Sequence, residues 1–191
     1  MTRIAIFASG SGSNAENITT YFSGNNRIEI SLILTNNSTA FVAERAKNLG
    51  IKSIVFNKHD FLKTDQILQI LLKNDINLIV LAGFLLKIPE NILKAFPNKI
   101  INIHPALLPK YGGKGMFGDK VHQAVISAKE KESGITIHYV NENYDEGKII
   151  FQAKCPVQPN DTAEDLANKI HALEYKYFPK ELEKLINNSK N

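Results

Sequence analysis

Apolar residues in this chain arrive in short dense runs, separated by stretches in which they recur every three or four positions. The runs Arg3–Ala8 (RIAIFA), Glu29–Leu34, Ser53–Phe56, Asn77–Ala82 (NLIVLA) and 100–104 (IINIH) read as strands, near-continuously apolar, with Arg3–Ala8 and 100–104 expected to be buried and Ser53–Phe56 short. Between them, Asn14–Phe22, Ala40–Leu49, Asp60–Lys73 and Glu90–Ala95 read as helices. Ser13 or Asn14 is the expected cap of the first, and Gly50 closes the second. In Asp60–Lys73 the apolar set Phe61, Leu62, Ile67, Leu68, Leu71 and Leu72 follows a helical period. Strands alternating with helices predict a parallel sheet covered on both faces. After residue 104 the pattern changes. Lys120–Lys129 reads as a helix, and Gly134–Val140 and Lys148–Lys154 as strands at an antiparallel edge. Asp161–Leu185 reads as a long helix broken near Pro179, with a frayed tail, INNSKN, after it. The expected fold class is α/β, a Rossmann-like, mostly parallel sheet flanked by helices, with an antiparallel C-terminal edge.

Composition narrows the function classes. The 191 residues suit one domain. A net charge of +4 with scattered basic residues gives no arm for nucleic acid and fits a small anionic ligand. Cys155 is the single cysteine, so no internal disulfide or cysteine metal cluster can form, and a buried structural role is expected for it. No His, Asp or Glu set stands at metal-ligand spacing, so no metal is expected. The N-terminal apolar run is too short for an export leader or a membrane span, which predicts a cytoplasmic protein with no membrane partner.

The candidate chemistry lies at turns. FASGSGSN, residues 7–14, sets glycines between a strand and a helix, where backbone N–H groups and the helix dipole suit a phosphate. It is a poor dinucleotide fingerprint, because Ala15 stands at the third glycine position and the second strand ends on Thr35 and Asn36 rather than on an acid. In IINIHP, residues 100–105, Asn102 and His104 are two apart and so project from one face of a buried strand at its carboxyl end. In NENYDEGKII, residues 141–150, Asp145 sits on a loop from which its carboxylate can reach an imidazole. His138 lies on a strand without a partner motif, and His171 and Glu174 lie one turn apart on the last helix. An amide donor, a ring able to become imidazolium and a carboxylate to hold its charge suit attack of an amine on a carbonyl carbon, with no covalent enzyme intermediate. The oxyanion is expected to take hydrogen bonds from the Asn102 amide and from the His104 ring as imidazolium, which then relays protons. Glu174 offers a carboxylate to hold the amine.

Together these segments resemble the folate-dependent phosphoribosylglycinamide formyltransferases. The resemblance runs almost the whole length, through IAIFASGSGSN, VLAGF, INIHPALLPKY, GITIHYV, YDEGKIIFQAKCPV and LEYKYFP. The Asn-x-His-Pro-x-Leu-Leu-Pro segment is shared by formyltetrahydrofolate-using enzymes, and the opening Ser-Gly-x-Gly-Ser-Asn points to the glycinamide ribonucleotide branch. The resemblance implies formyl transfer from 10-formyltetrahydrofolate, as co-substrate, to the amine of 5'-phosphoribosylglycinamide in purine biosynthesis. It implies a catalytic set of Asn102, His104 and Asp145. Gly12, Ser13 and Asn14 are implied for the ribonucleotide's phosphate and ribose, with His171 near the phosphate and Glu174 on the amine. Leu85, Leu86, Lys87, Ile88, Tyr139, Val140 and Asn141, with Asn102 and Asp145, are implied for the pterin pocket, and Thr136 lies near the folate. The implied organisation is one domain over 1–191, ribonucleotide-binding over about 1–100 and folate-binding and catalytic over about 101–191, as a monomer or homodimer. Two departures stand out. Leu86 occupies the place of a usual basic residue, with Lys87 one later, and the loop after LLPKY is long and glycine-rich, GGKGMFGDK. No arginine in residues 57–65 matches the family's folate-tail contact, which leaves Lys58, His59 or Lys63 for it. The alternatives are another formyltetrahydrofolate formyltransferase or hydrolase on this fold, or a nucleotide-binding module without catalysis. A methionyl-tRNA formyltransferase is expected to carry a further C-terminal domain and a formyltetrahydrofolate hydrolase an extra N-terminal one.

Overall fold

The computed structural model describes residues 1–188. Seven strands form one sheet in the order β3-β2-β1-β4-β5-β6-β7. They are β1 (Thr2–Phe7), β2 (Ile28–Thr35), β3 (Ser53–Val55), β4 (Leu78–Leu81), β5 (Ile100–His104), β6 (Glu132–Tyr139) and β7 (Ile149–Pro156). β1 pairs in parallel with β2 and β4, β2 with β3 likewise, and β6 and β7 run antiparallel. The fold class read from the pattern is therefore the one observed. By its contacts the chain divides into two compact units, Met1–Ile101 and Asn102–Asn191. Among the described residues no helix is long and apolar enough to cross a membrane.

In the first unit, Ile4 to Phe7 of β1 and Ile79 and Val80 of β4 are wholly buried, as continuous apolar strands between helical layers must be. Phe7 meets Phe56, Phe61 and Phe84 with ring centroids 5.2–6.0 Å apart, so the mouth of the first strand is floored by aromatic rings. Helix α1 (Ser13–Tyr21) is capped by Gly12, one residue before the cap expected, because Gly12 takes a left-handed φ of 75° and its carbonyl accepts from Glu16 N–H. Helix α2 (Val42–Asn48) ends on Leu49, and Gly50 follows at φ 69°. Gly50 N–H donates to the Lys47 carbonyl and Ile51 N–H to the Ala46 carbonyl, which is a Schellman closure. The single helix expected over 60–73 is two, α3 (Lys58–Lys63) and α4 (Gln66–Lys73). Thr64 separates them in extended geometry. Its hydroxyl donates to the Asp60 carbonyl and accepts from Gln66 N–H, so a side chain replaces the backbone ladder there. Helix α5 (Glu90–Ala95) follows Pro89.

In the second unit, helix α6 (Asp119–Ser127) precedes β6, and helix α7 (Ala163–Asn188) packs on α6, β6 and β7. Thr162 and Asp165 exchange bonds at the start of α7, since each side chain accepts from the other's N–H, and this capping box sets the boundary. The break expected near Pro179 does not occur. Leu166, Ile170, Glu174, Phe178, Leu182 and Ile186 are buried at intervals of four, so the stripe passes through Pro179 and packing outweighs the lost N–H. Of the tail expected to fray, Ile186–Asn188 complete this helix and 189–191 lie outside the described residues.

Candidate functional site

The strongest cluster is built on β5, β6 and two loops of the second unit. Ile101 and Ile103 are buried, and the residues alternating with them, Asn102 and His104, face Asp145. Asn102 Nδ2 lies 3.5 Å from Asp145 Oδ1, and His104 Nδ1 lies 3.6 Å from Asp145 Oδ2. The strand period thus delivers an amide and an imidazole to the two oxygens of one carboxylate. His104 and His138 are almost fully buried and Asp145 is 13% exposed.

Asp145 reaches this place through an unusual loop. It takes φ 56°, a left-handed conformation that Asp tolerates better than most residues. Gly147, two residues on, passes so close to the Tyr139 carbonyl that a β-carbon would overlap it. Gly113 N–H donates to Asp145 Oδ2 over 2.9 Å. Burial pushes the Asp145 carboxyl up, but His138, His104 and the Gly113 N–H together outweigh burial, and its pKa lies below the ordinary value. Asp145 is a carboxylate at neutral pH.

The hydrogen bonds fix the ring tautomers. His104 Nε2 lies 2.7 Å from the Tyr111 carbonyl, which only accepts, so Nε2 carries hydrogen and Nδ1 faces Asp145. His138 Nδ1 lies 2.8 Å from the Tyr139 carbonyl, so by the same logic its Nε2 is an acceptor. That acceptor is 3.1 Å from Asn102 Nδ2, and this assigns the Asn102 amide with its NH2 toward His138 and Asp145. His138 therefore orients Asn102. Sequence reasoning left it without a role because β6 is buried on both faces and shows no alternation.

Burial lowers the His104 pKa, against the raising effects of Asp145 and the Tyr111 carbonyl, and His138 lowers it further. The net position is below the ordinary 6.5, so the resting ring is neutral at pH 7 rather than the imidazolium expected. His122, buried on α6, is also held below 6.5, chiefly by burial. The sign for stability follows. Each ring binds a proton more readily in the unfolded chain, so stability is full above about pH 6.5 and falls as pH drops through the folded-state pKa values. The urea midpoint is expected to be lower at about pH 5.5 than at about pH 7.5, and His122→Gln to shrink that difference. An unchanged difference in the variant would assign the acid sensitivity elsewhere.

Thr136, expected near the folate, is wholly buried. Its hydroxyl donates to the Ala106 carbonyl and accepts from Leu108 N–H and Gln152 Nε2. It clamps the loop behind His104. Of the other expected pocket residues, Tyr139 and Asn141 spend a carbonyl and a side-chain oxygen inside their own loop, on His138 and on Asn143 N–H. Val140 is half-buried. On α7, Glu174 is buried in the middle of an apolar stripe, whereas His171 is exposed and stacks on Tyr175 at 6.3 Å.

In the first unit, Ser9, Gly10 and Gly12 form the turn into α1. Val42 N–H donates to the Gly10 carbonyl, and Arg45 Nε donates to the Ser11 carbonyl while its guanidinium pairs with Glu16. Ser13 opens the helix and Asn14 is buried behind it. Ser9 Oγ accepts from Leu85 N–H, which ties the 83–88 loop to this turn. Within that loop Leu85 is 47% exposed, Ile88 is buried, Leu86 is half-buried and Lys87 is exposed. A β-carbon at Gly12 would stand 2.9 Å from Val42 Cα, and its φ is left-handed. One at Gly10 would meet nothing within 4 Å. Gly12→Ala is expected to cost more than the roughly 1–2 kcal/mol of a left-handed β-carbon. Gly10→Ala should leave the urea midpoint nearly unchanged, and equal losses would refute this account of the turn.

Comparison with known proteins gives a consistent result. The family model described as formyl transferase matches residues 2–182. The phosphoribosylglycinamide formyltransferase of Bacillus subtilis is 37% identical over 193 residues, covering 97% of this chain and 95% of that one. The chloroplastic enzyme of that name from Arabidopsis thaliana is 41% identical over 182 residues, 92% of this chain. The chain spans 62% of its length and 60% of that of the Vigna unguiculata relative. The solved phosphoribosylglycinamide formyltransferase of Anaplasma phagocytophilum superposes with a TM-score of 0.89 at 35% identity, covering 97% of this chain and 87% of that one. That of Bacillus halodurans gives 0.88 at 35%, covering 98% and 97%. The chain belongs to the formyl transferase family, and within it to the group of the phosphoribosylglycinamide formyltransferases.

Proposed function

We propose that the protein transfers the formyl group of 10-formyltetrahydrofolate to the amine of 5'-phosphoribosylglycinamide, a step of purine biosynthesis. The observation that carries this reading is the convergence of Asn102 and His104 on the two oxygens of Asp145. The folate, as co-substrate, supplies an electrophilic formyl carbon. The amine nitrogen bonds to that carbon, one amine proton is lost, and the folate nitrogen leaves with a proton. The chain supplies a donor and a proton carrier. The Asn102 Nδ2 group, set by His138, donates to the oxygen on which negative charge develops. His104 is neutral at rest, with Nε2–H committed to Tyr111, so its Nδ1 takes the amine proton and passes it on, and Asp145 stabilises the imidazolium formed meanwhile. This differs from the role expected from the sequence, in which the ring also donates to the oxyanion.

Gly12, Ser13 and Asn14 hold the ribonucleotide's phosphate and ribose in this reading, supported by the turn into α1 and by the family resemblance. The family resemblance gives Glu174 to the amine and His171 to the phosphate. The family resemblance gives Leu85–Ile88 and residues 139–141 each a role in binding the pterin through backbone groups, while Thr136 positions the 106–108 loop. The expected division of labour gives the ribonucleotide to about 1–100 and folate and catalysis to about 101–191. The partners are these two small molecules, in a cytoplasmic protein.

The test offers 10-formyltetrahydrofolate with glycinamide ribonucleotide, with water alone and with charged initiator tRNA. Formylation of the ribonucleotide is the expected result. Release of formate alone, or formylation of the tRNA, would move the protein to another branch of the fold, and no turnover with any acceptor would leave a binding module.

A further inference from the structure

The carbonyl that sets the His104 tautomer belongs to a residue in a strained conformation. Tyr111 takes φ 57°, and Gly112 and Gly113 follow it, so no regular ladder holds this stretch. A tyrosine pays for a left-handed backbone with a clash at its β-carbon, so something else must keep it there. Its phenol donates to Glu130 Oε1 over 2.9 Å, and Lys110 Nζ reaches the same oxygen at 2.8 Å. Glu130 is a firm anchor. Its N–H donates to the Val125 carbonyl at the end of α6, and the next carbonyl, that of Lys131, accepts from Val157 N–H. Residues 110–111 and 130 are the two ends of the segment that carries the glycine-rich loop and α6. Just inside one end lie both backbone groups that touch the reacting pair, the Tyr111 carbonyl on His104 and the Gly113 N–H on Asp145.

We propose that Glu130 and the Tyr111 phenol form a clasp at the base of residues 112–129 that positions His104 and Asp145, through the Tyr111 carbonyl and the Gly113 N–H. Both are positioning residues. The inference rests on the reading that His104 and Asp145 carry the proton transfer. Lys110 is 68% exposed, and an exposed pair contributes little, so the phenol bond is the working part of the clasp. Lys110 chiefly, and Tyr111 after it, hold the Glu130 carboxyl below its ordinary pKa, so its charge is constant across the neutral range.

The experiment compares wild type with Tyr111→Phe, Glu130→Ala, Glu130→Gln and Lys110→Met. It reads steady-state kinetics and the His104 ring by nitrogen NMR, with near-ultraviolet circular dichroism to verify folding. Tyr111→Phe and Glu130→Ala are expected to lower kcat by about 10- to 100-fold, the scale of a small misplacement, with KM for folate little changed. In both, the single Nε2–H tautomer of His104 should become a mixture of the two tautomers. Glu130→Gln keeps an acceptor oxygen and should restore both readouts, and Lys110→Met should leave both near wild type. The clasp is overturned by an unaltered tautomer and kcat in folded Tyr111→Phe, or by Glu130→Gln losing as much as Glu130→Ala. If wild type transfers no formyl group to any acceptor but the tautomer still shifts in Tyr111→Phe, the clasp stands and the proposed reaction falls.

Discussion

Asn102→Ala is expected to lower kcat by about two to three decades, the usual effect of removing one oxyanion donor, about 2.7–4 kcal/mol. The size rests on how the amide is held. One of its hydrogens points to His138 Nε2 at 3.1 Å, and the group lies 3.5 Å from Asp145 Oδ1. His138 is in turn fixed by the Tyr139 carbonyl at 2.8 Å, so the donor direction is set before any substrate arrives. A donor that strengthens only as charge develops acts on the transition state, so KM for both substrates should move far less than kcat. Folding should survive, because Asn102 is half-buried and its neighbours Ile101 and Ile103 carry the strand's packing. The check is saturation kinetics on a variant of unchanged urea midpoint. Turnover near wild type would remove Asn102 from the chemistry. A matching loss of kcat in His138→Phe with a normal fold would support the orienting role of the ring.

The sequence was most legible where one rule acted alone. Continuous apolar strands gave the parallel sheet, and the period of two put Asn102 and His104 on one face. Elements failed where side chains or packing overrode propensity. Thr64 divided a helix by bonding to the Asp60 carbonyl, and the stripe from Leu166 to Ile186 carried α7 through Pro179. At the site, residue types were legible and their relations were not. His138, the Tyr111 carbonyl and the Gly113 N–H touch the cluster from positions 7 to 36 residues distant in the chain. Such contacts depend on loop geometry, notably a left-handed Asp145 and a Gly147 that tolerates no β-carbon. The sign of the His104 shift was equally hidden. A carboxylate partner could be guessed from NENYDEG, but whether it outweighs burial depends on how deeply the ring is enclosed, and at 4% exposure burial wins.

Asp145→Asn tests that balance directly. The variant suits the backbone, because Asn also accepts a left-handed φ and its amide oxygen can still take the Gly113 N–H. What disappears is the charge beside His104 Nδ1. In the wild type burial lowers the ring's pKa and Asp145 raises it, so without the carboxylate the pKa falls further below 6.5. A weaker base accepts the amine proton less readily, and the imidazolium formed in the transition state loses its counter-charge. kcat should fall by about 10²–10⁴, the range associated with positioned acid–base groups. Because the neutral ring is the working form, activity is lost on the acid side as the ring protonates. The acid limb of the kcat profile should therefore move to lower pH, while an alkaline limb set by other groups stays in place. The measurement is a pH–rate profile at saturating substrates for both proteins, beside an NMR titration of His104. A loss of activity with His104 titrating as in wild type would mean that Asp145 acts by position rather than by charge. A shift of the alkaline limb to lower pH instead would show that the ring works as the imidazolium, and the neutral-base mechanism would be wrong.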